Sequence, residues 1–334
     1  MIRIGILGFG FMGRTHFLRY SQIEGAKVVA VADRDLERQK ADFLPDGNLD
    51  LGLGTLDLSG VTIYSAAEDL INNAQVDVVD VCLPTFLHKQ FVSLALQNKK
   101  HVICEKPLAL NSQDADDMIA EAKANQRSLF VAQVIRFWPE YRYLYDLMHK
   151  GEYGRLLSLQ FYRRTAEAGW TWEDWNKDPK KSGGIIDIRI HELDFIHFML
   201  GMPKRIYAQA LESRNIIRSQ YLYDNGAIVS VESNRILPPL INFEDGFEAV
   251  FEGALLRYCG QAEPKLKLYP ISAPEPVCPV LSGDAYLEEL RYFIQCIRDD
   301  KACLELADPE GAARAMELWE KEIQSIEEGV VIET

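Results

Sequence analysis

Asp187, His191, Asp194 and His197 follow one another at steps of four, three and three within GGIIDIRIHELDFIH, residues 183–197. On a helix these spacings set all four side chains along one face. Two carboxylates and two imidazoles so arranged are compatible with a shared metal ion, with an acid/base site, or with a polar stripe that does no chemistry. What the rest of the chain is built to do decides among them.

A second chemical signal lies at the N-terminus. GFGFMG, from Gly8 through Phe9, Gly10, Phe11 and Met12 to Gly13, has the G-x-G-x-x-G spacing, between the strand pattern IRIGIL and a helical pattern. In that context Gly8 permits the tight turn and Gly10 lets a pyrophosphate approach the backbone. Gly13 lets the following helix pack closely, with its amides and dipole toward the anion. Twenty residues after Gly13, at the end of the second strand pattern, Asp33 occupies the place of the acid that binds the adenosine ribose. A carboxylate there favours the free 2′-hydroxyl of NAD over the phosphate of NADP. Arg34 beside it can stack on adenine or pair with that phosphate, so NAD is favoured and NADP remains possible.

These residues need a scaffold. Over residues 1–134, short apolar runs (2–7, 27–32, 61–64, 76–83, 101–104 and 128–134) interleave with helical patterns such as 86–97 and 112–126, the latter capped at Asn111 or Ser112. That alternation predicts an α/β fold, a doubly wound parallel sheet of the Rossmann type. The glycine-rich stretch 45–60 reads as a surface loop. Beyond residue 135 a helix over 139–149, strands at 155–164 and across 204–270, and two helical pieces within 283–328 predict a second α/β domain with an open, mostly antiparallel sheet. The expected boundaries are 1–134 for dinucleotide binding and 135–334 for substrate binding and oligomerisation, with the C-terminal helices free to pack on the first domain.

Ligands of a doubly wound sheet bind at the carboxyl ends of its strands. Polar residues gather there in LPTFLH, CEKP and QVIRF, which place Pro84, Glu105, Lys106 and Arg136 on the cofactor side. An ammonium at Lys106 would stabilise a developing alkoxide, and the following proline would hold the turn that aims it. Arg163 and Arg164, ending a strand, and Arg136 would offer positive charge to an anionic substrate or serve as ion-paired scaffolding. Trp170, Trp172 and Trp175 would wall a sugar pocket or pack a domain junction.

Composition narrows the alternatives. The 334 residues are 48% apolar and 26% charged, with a formal charge of −14 and no basic cluster. That disfavours nucleic acid or an anionic membrane as partner. The six cysteines lack paired metal-type spacing, the chain opens at once on a strand pattern, and no apolar run reaches the roughly 18 residues of a membrane span. A cytoplasmic protein without a metal cofactor is the expectation.

GILGFGFMGRTH, VAVADRD, VDVVDVCLPTFLH, HVICEKPLA, VAQVIRFWPEY and SGGIIDIRIHELDFIHFMLG, in that order, resemble the family of glucose–fructose oxidoreductase, inositol dehydrogenase and MocA. The resemblance runs from residue 1 to about 328. It implies a Rossmann domain followed by an open-sheet domain, and an NAD(P)-dependent oxidoreductase acting on a sugar, inositol or related polyol. Lys106 matches the lysine of the E-K-P motif, and Asp187 and His191 match the acid and histidine of D-x-x-x-H. By that match Lys106 and His191 contact the reacting hydroxyl, His191 accepts its proton, and Asp187 orients Lys106 or the substrate. Thr85 and His88 fall where the family shows Asn and His near the cofactor, so Thr85 is a departure. Arg189 is bulkier than the residue expected there and would narrow the pocket or contact a polar substrate.

The residue types suit this role on their own terms. Removing a hydride from a carbinol carbon requires loss of the hydroxyl proton, which an imidazole accepts near neutral pH. Asp194 and His197 are then structural. A non-catalytic dinucleotide-binding regulator on the same scaffold is the alternative, but it has no need of Lys106, Asp187 and His191 together. A homodimer or homotetramer through the C-terminal sheet is expected.

Overall fold

The computed structural model describes residues 1–34, 56–166, 178–211, 213–238, 240–241, 243–299 and 304–334. Most of the 45–60 stretch, together with Trp170, Trp172 and Trp175, lies outside the described residues. The chain forms two compact units. One comprises 1–137, 170–182 and 284–313; the other comprises 138–169, 183–283 and 314–334.

The first unit is built on six parallel strands, β1 (Ile2–Leu7), β2 (Ala26–Ala32), β3 (Thr62–Tyr64), β4 (Val78–Val81), β5 (His101–Glu105) and β6 (Leu129–Ala132). Their spatial order is β3-β2-β1-β4-β5-β6, the doubly wound arrangement with its switch point between β1 and β4. All four residues of β4 and of β6 are buried, as expected for strands covered on both faces. Helix Ser112–Asn125 begins where Asn111 accepts the amide of Asp114 at 2.8 Å and returns its own NH2 to the Asp114 carboxylate. The fourth strand is shorter than its apolar run, because Pro84 has no amide for a ladder and the chain turns at Thr85–Leu87 into helix His88–Gln97.

The second unit carries eight strands: β7 (Leu156–Arg164), β8 (Arg205–Ala210), β9 (Ile216–Leu222), β10 (Ile228–Asn234), β11 (Glu244–Phe251), β12 (Ala254–Cys259), β13 (Leu266–Pro270) and β14 (Ile332–Glu333). Their order is β13-β12-β11-β7-β10-β9-β8-β14, antiparallel except for the β7–β10 pair. The Asp224-Asn225-Gly226 turn joins β9 to β10, with Gly226 at φ +82°. Tyr141, Phe161, Phe195, Phe247 and Tyr258 form the aromatic core that seats helices Pro139–Lys150 and Ile186–Leu200 on one sheet face.

Both sheets agree with the fold class expected from the sequence. Among the described residues no helix is long and apolar enough to cross a membrane. Cys82, Cys104, Cys259 and Cys278 are free thiols, whereas Cys296 is disulfide-bonded, a pairing that the scattered spacing did not foretell.

Candidate functional site

Each glycine of the N-terminal turn meets a different constraint. Gly8 sits at φ +84°, against the Cys82 carbonyl. A Cβ on Gly13 would overlap the Gly8 carbonyl oxygen, so only glycine lets helix Phe11–Tyr20 start this close to β1. A Cβ on Gly10 would instead project into open space. That space faces the first turn of the helix, where the amides lack intrahelical partners, and it suits an anion. Asp33 is brought to the same turn, its carboxylate accepting the amide of Phe9 at 2.7 Å. Arg34, next in sequence, is exposed. The turn, the open space and the acid are the donor and acceptor set that a dinucleotide requires.

At the carboxyl end of the sheet, Pro84 is half-buried, Thr85 is buried, and Lys106 is half-buried at the end of β5. His88 is turned into the protein. Its ring is fully buried, with Nδ1 2.9 Å from the Pro107 carbonyl and Nε2 2.7 Å from the Leu83 carbonyl. It braces the Leu83 and Pro107 segments against each other. Burial holds its pKa below the ordinary imidazole value. Arg136 is likewise turned inward, 1% exposed, toward the Leu306 carbonyl and the Asp308 carboxylate. The anion-binding role expected of it is replaced by a structural one.

Beneath this edge lies a polar cluster that the sequence reading passed over. His16 Nδ1 is 2.8 Å from Asp80 Oδ2, and Nε2 is 3.2 Å from Glu105 Oε1. Tyr20 donates to Asp80 at 2.8 Å, and Glu289 lies buried nearby. Burial alone would lower the pKa of His16, but the charge of Asp80 overrides it and holds the imidazole well above its ordinary value. Burial pushes the Cys82 thiol up, which makes it inert as a nucleophile. His16, Asp80 and Cys82 are the one group of three metal-ligand side chains among the described residues; none falls on the 186–200 helix. Helical spacing contained the missed signal: Gly13, His16 and Tyr20 share the face that packs on the sheet.

In the second unit, Asp187 and His191 are half-buried on helix Ile186–Leu200. Asp194 is fully buried and His197 half-buried on the same helix. The opposite helix face is pinned by two ion pairs. Arg189 is completely buried, with Nε and one terminal nitrogen on the two oxygens of Glu322 at 2.6 and 2.7 Å. Its remaining donors meet Ser219, Ser233 and the Ile217 carbonyl, and Tyr221 also donates to Glu322. Arg189 therefore neither narrows a pocket nor contacts a substrate; it is a fastener between the helix and the rest of its unit. Arg163, also expected at the substrate, pairs with buried Glu192 at 2.7 Å and covers the Phe243 ring. Lys106 belongs to the first unit, and Asp187 and His191 belong to the second.

Comparison with known proteins agrees with this layout. Residues 2–133 match the model of an oxidoreductase family with an NAD-binding Rossmann fold, and residues 141–254 match the GFO/IDH/MocA C-terminal domain. A 2,7-anhydro-N-acetylneuraminate hydratase of Escherichia coli is 30% identical over 201 residues, 60% of this chain and 50% of its own length. An inositol 2-dehydrogenase of Azotobacter vinelandii is 30% identical over 234 residues, 70% of this chain and 64% of its own. The aldose-aldose oxidoreductase of Caulobacter crescentus, solved with glycerol, superposes with a TM-score of 0.82 at 21% identity, covering 100% of this chain and 99% of that one. The chain spans about half the length of the first curated relatives it matches.

Proposed function

For a chain that belongs to the GFO/IDH/MocA oxidoreductase family, we propose NAD(P)-dependent hydride transfer between nicotinamide and a secondary alcohol or carbonyl of a sugar, inositol or related polyol. The observation that carries this reading is the glycine turn closed by Asp33, with open space at Gly10 where a pyrophosphate fits. Nicotinamide, when bound, supplies the hydride acceptor. The Lys106 ammonium lowers the cost of the alkoxide-like transition state, and His191 takes the hydroxyl proton. Asp187, one turn before His191, orients the substrate. Asp33 favours NAD, and NADP remains possible because Arg34 stands exposed beside it.

The names of the relatives support the substrate class: inositol for one, an aldose for another, an anhydro sugar acid for a third. The hydratase name, borne by two relatives at 30% and 32% identity, favours a second reading in which cofactor reduction is transient and the net reaction is redox-neutral. We further propose a homodimer or homotetramer through the sheet face opposite the helices, which carries Gln160, Tyr162, Arg218, Gln220, Ile228 and Glu232; sedimentation tests this.

A panel of inositols, aldoses, anhydro sugars and sugar acids, with NAD and with NADP, tests the function. Absorbance reports net reduction of the cofactor, and product analysis reports redox-neutral turnover. Turnover of at least one polyol, lost in Lys106→Ala and His191→Asn, is expected. No turnover in either readout, with NADH binding intact, would favour a non-catalytic dinucleotide sensor.

A further inference from the structure

We propose that His16 is a positioning residue for Lys106, tying the helix behind the glycine turn to the E-K-P turn through Glu105. The inference rests on the reading that Lys106 meets the substrate. His16 stands on the second turn of helix Phe11–Tyr20, fully buried, between two carboxylates from adjacent strands. Asp80 of β4 lies 2.8 Å from Nδ1, and Glu105 at the end of β5 lies 3.2 Å from Nε2. The other Glu105 oxygen accepts the backbone amide of Lys106 at 3.2 Å. A chain of polar contacts therefore runs from the helix whose first turn faces the dinucleotide to the backbone from which Lys106 extends.

A plain packing role does not call for this chemistry. Burying one imidazole with two carboxylates has a desolvation cost that apolar side chains of similar volume avoid. The His16–Glu105 contact is an ion pair at 3.2 Å without hydrogen-bond alignment; charge attraction at one carboxylate oxygen narrows the rotamers open to Glu105, whose second oxygen accepts the Lys106 amide. Cys82, Tyr20 and Glu289 are the other titratable groups facing the cluster. Dinucleotide binding at the start of the helix is thereby coupled to the order of the turn that presents Lys106.

Hydrogen–deuterium exchange of the 101–109 segment, with and without NADH, tests the proposal without any need for a substrate. Asn places its amide nitrogen where Nδ1 stands and leaves the Glu105 side empty; Gln reaches the Nε2 position. His16→Asn is expected to speed exchange at the Lys106 amide by about tenfold or more and to abolish the slowing caused by NADH. His16→Gln is expected to restore most of both effects. Arg3→Ala, which breaks a surface pair with Asp77, serves as a destabilised control with unchanged exchange at Lys106. If His16→Asn does not fold, Glu105→Gln removes the charge facing the imidazole and is expected to act in the same direction. On any polyol turned over, His16→Asn lowers kcat and leaves the KM for substrate in place. Lys106 exchange that is equal in wild type and His16→Asn, or equal in His16→Asn and Arg3→Ala, overturns the proposal. Faster exchange in His16→Asn, with no polyol oxidised by wild type, upholds the positioning and removes the substrate reading.

Discussion

The amide of Phe9 donates to the carboxylate of Asp33 across 2.7 Å, so the acid that follows β2 also holds the turn that follows β1. One side chain thus orders the glycine turn and, on the proposed reading, also binds the ribose. Asp33→Ala is expected to weaken NADH binding by roughly 1.5–3 kcal/mol, the range for hydrogen bonds to a charged group. It should also narrow the preference for NADH over NADPH. Fluorescence titration with both cofactors measures each effect, and an unchanged preference would remove the ribose assignment.

Gly10 and Gly13 separate cofactor binding from folding. A Cβ at Gly10 enters open space, whereas one at Gly13 meets the Gly8 carbonyl. Gly10→Ala should melt close to wild type yet lose NADH affinity by about tenfold or more, because the methyl group occupies the anion's approach. Gly13→Ala should lower the melting temperature of the first unit even without cofactor. Calorimetry beside NADH titration distinguishes the two.

Arg189 and Glu322 form a buried pair whose members depend on each other. Arg189→Met or Glu322→Leu alone leaves an uncompensated group in the core and should destabilise the second unit by about 3–5 kcal/mol. The double variant Arg189→Met/Glu322→Leu should regain much of that loss. Urea unfolding of the four proteins closes the cycle; a loss in the double variant equal to the sum of the two single losses would mean that the pair is not coupled.

Glu289 supplies a pH test. Both its carboxylate oxygens are buried without a partner among the described residues, and burial, with the charge of Glu105 next, pushes its pKa well above the carboxylate range. The folded chain keeps a proton that the unfolded chain releases near the ordinary value, so stability falls as pH rises above that value. Glu289→Gln stays neutral and removes this part of the slope. The melting-temperature advantage of the variant over wild type should therefore grow from pH 5 to pH 8. A constant difference would place the Glu289 pKa within the ordinary range in the folded state.

Much of this molecule was readable in one dimension. Alternating apolar runs and helical spacing located the strands of both sheets except the two-residue edge strand β14, because a side-chain period is local. The glycine spacing and the acid twenty residues later located a tight strand-to-helix turn, because backbone clearance leaves glycine as the one choice at Gly8 and Gly13. Asn111 as a cap and the Asp224-Asn225-Gly226 turn were legible for the same reason: each acts within a few residues of itself.

The direction of a long charged side chain was not legible. Arg136 and Arg163 looked like candidates for an anionic substrate, and Arg189 for a polar one, until their partners were known. Glu322 is 133 positions from Arg189, and Asp80 is 64 positions from His16. His88 matched a motif by type and place, yet both its ring nitrogens face carbonyl oxygens of the protein. From the sequence alone came the fold class, the glycine turn and the residue types able to do acid/base chemistry, all set by local periodicity and steric clearance. Only the tertiary structure decided which charges are neutralised inside the protein and which are left to face a ligand. That choice depends on desolvation and on partners drawn from distant strands and helices, and no local spacing encodes it.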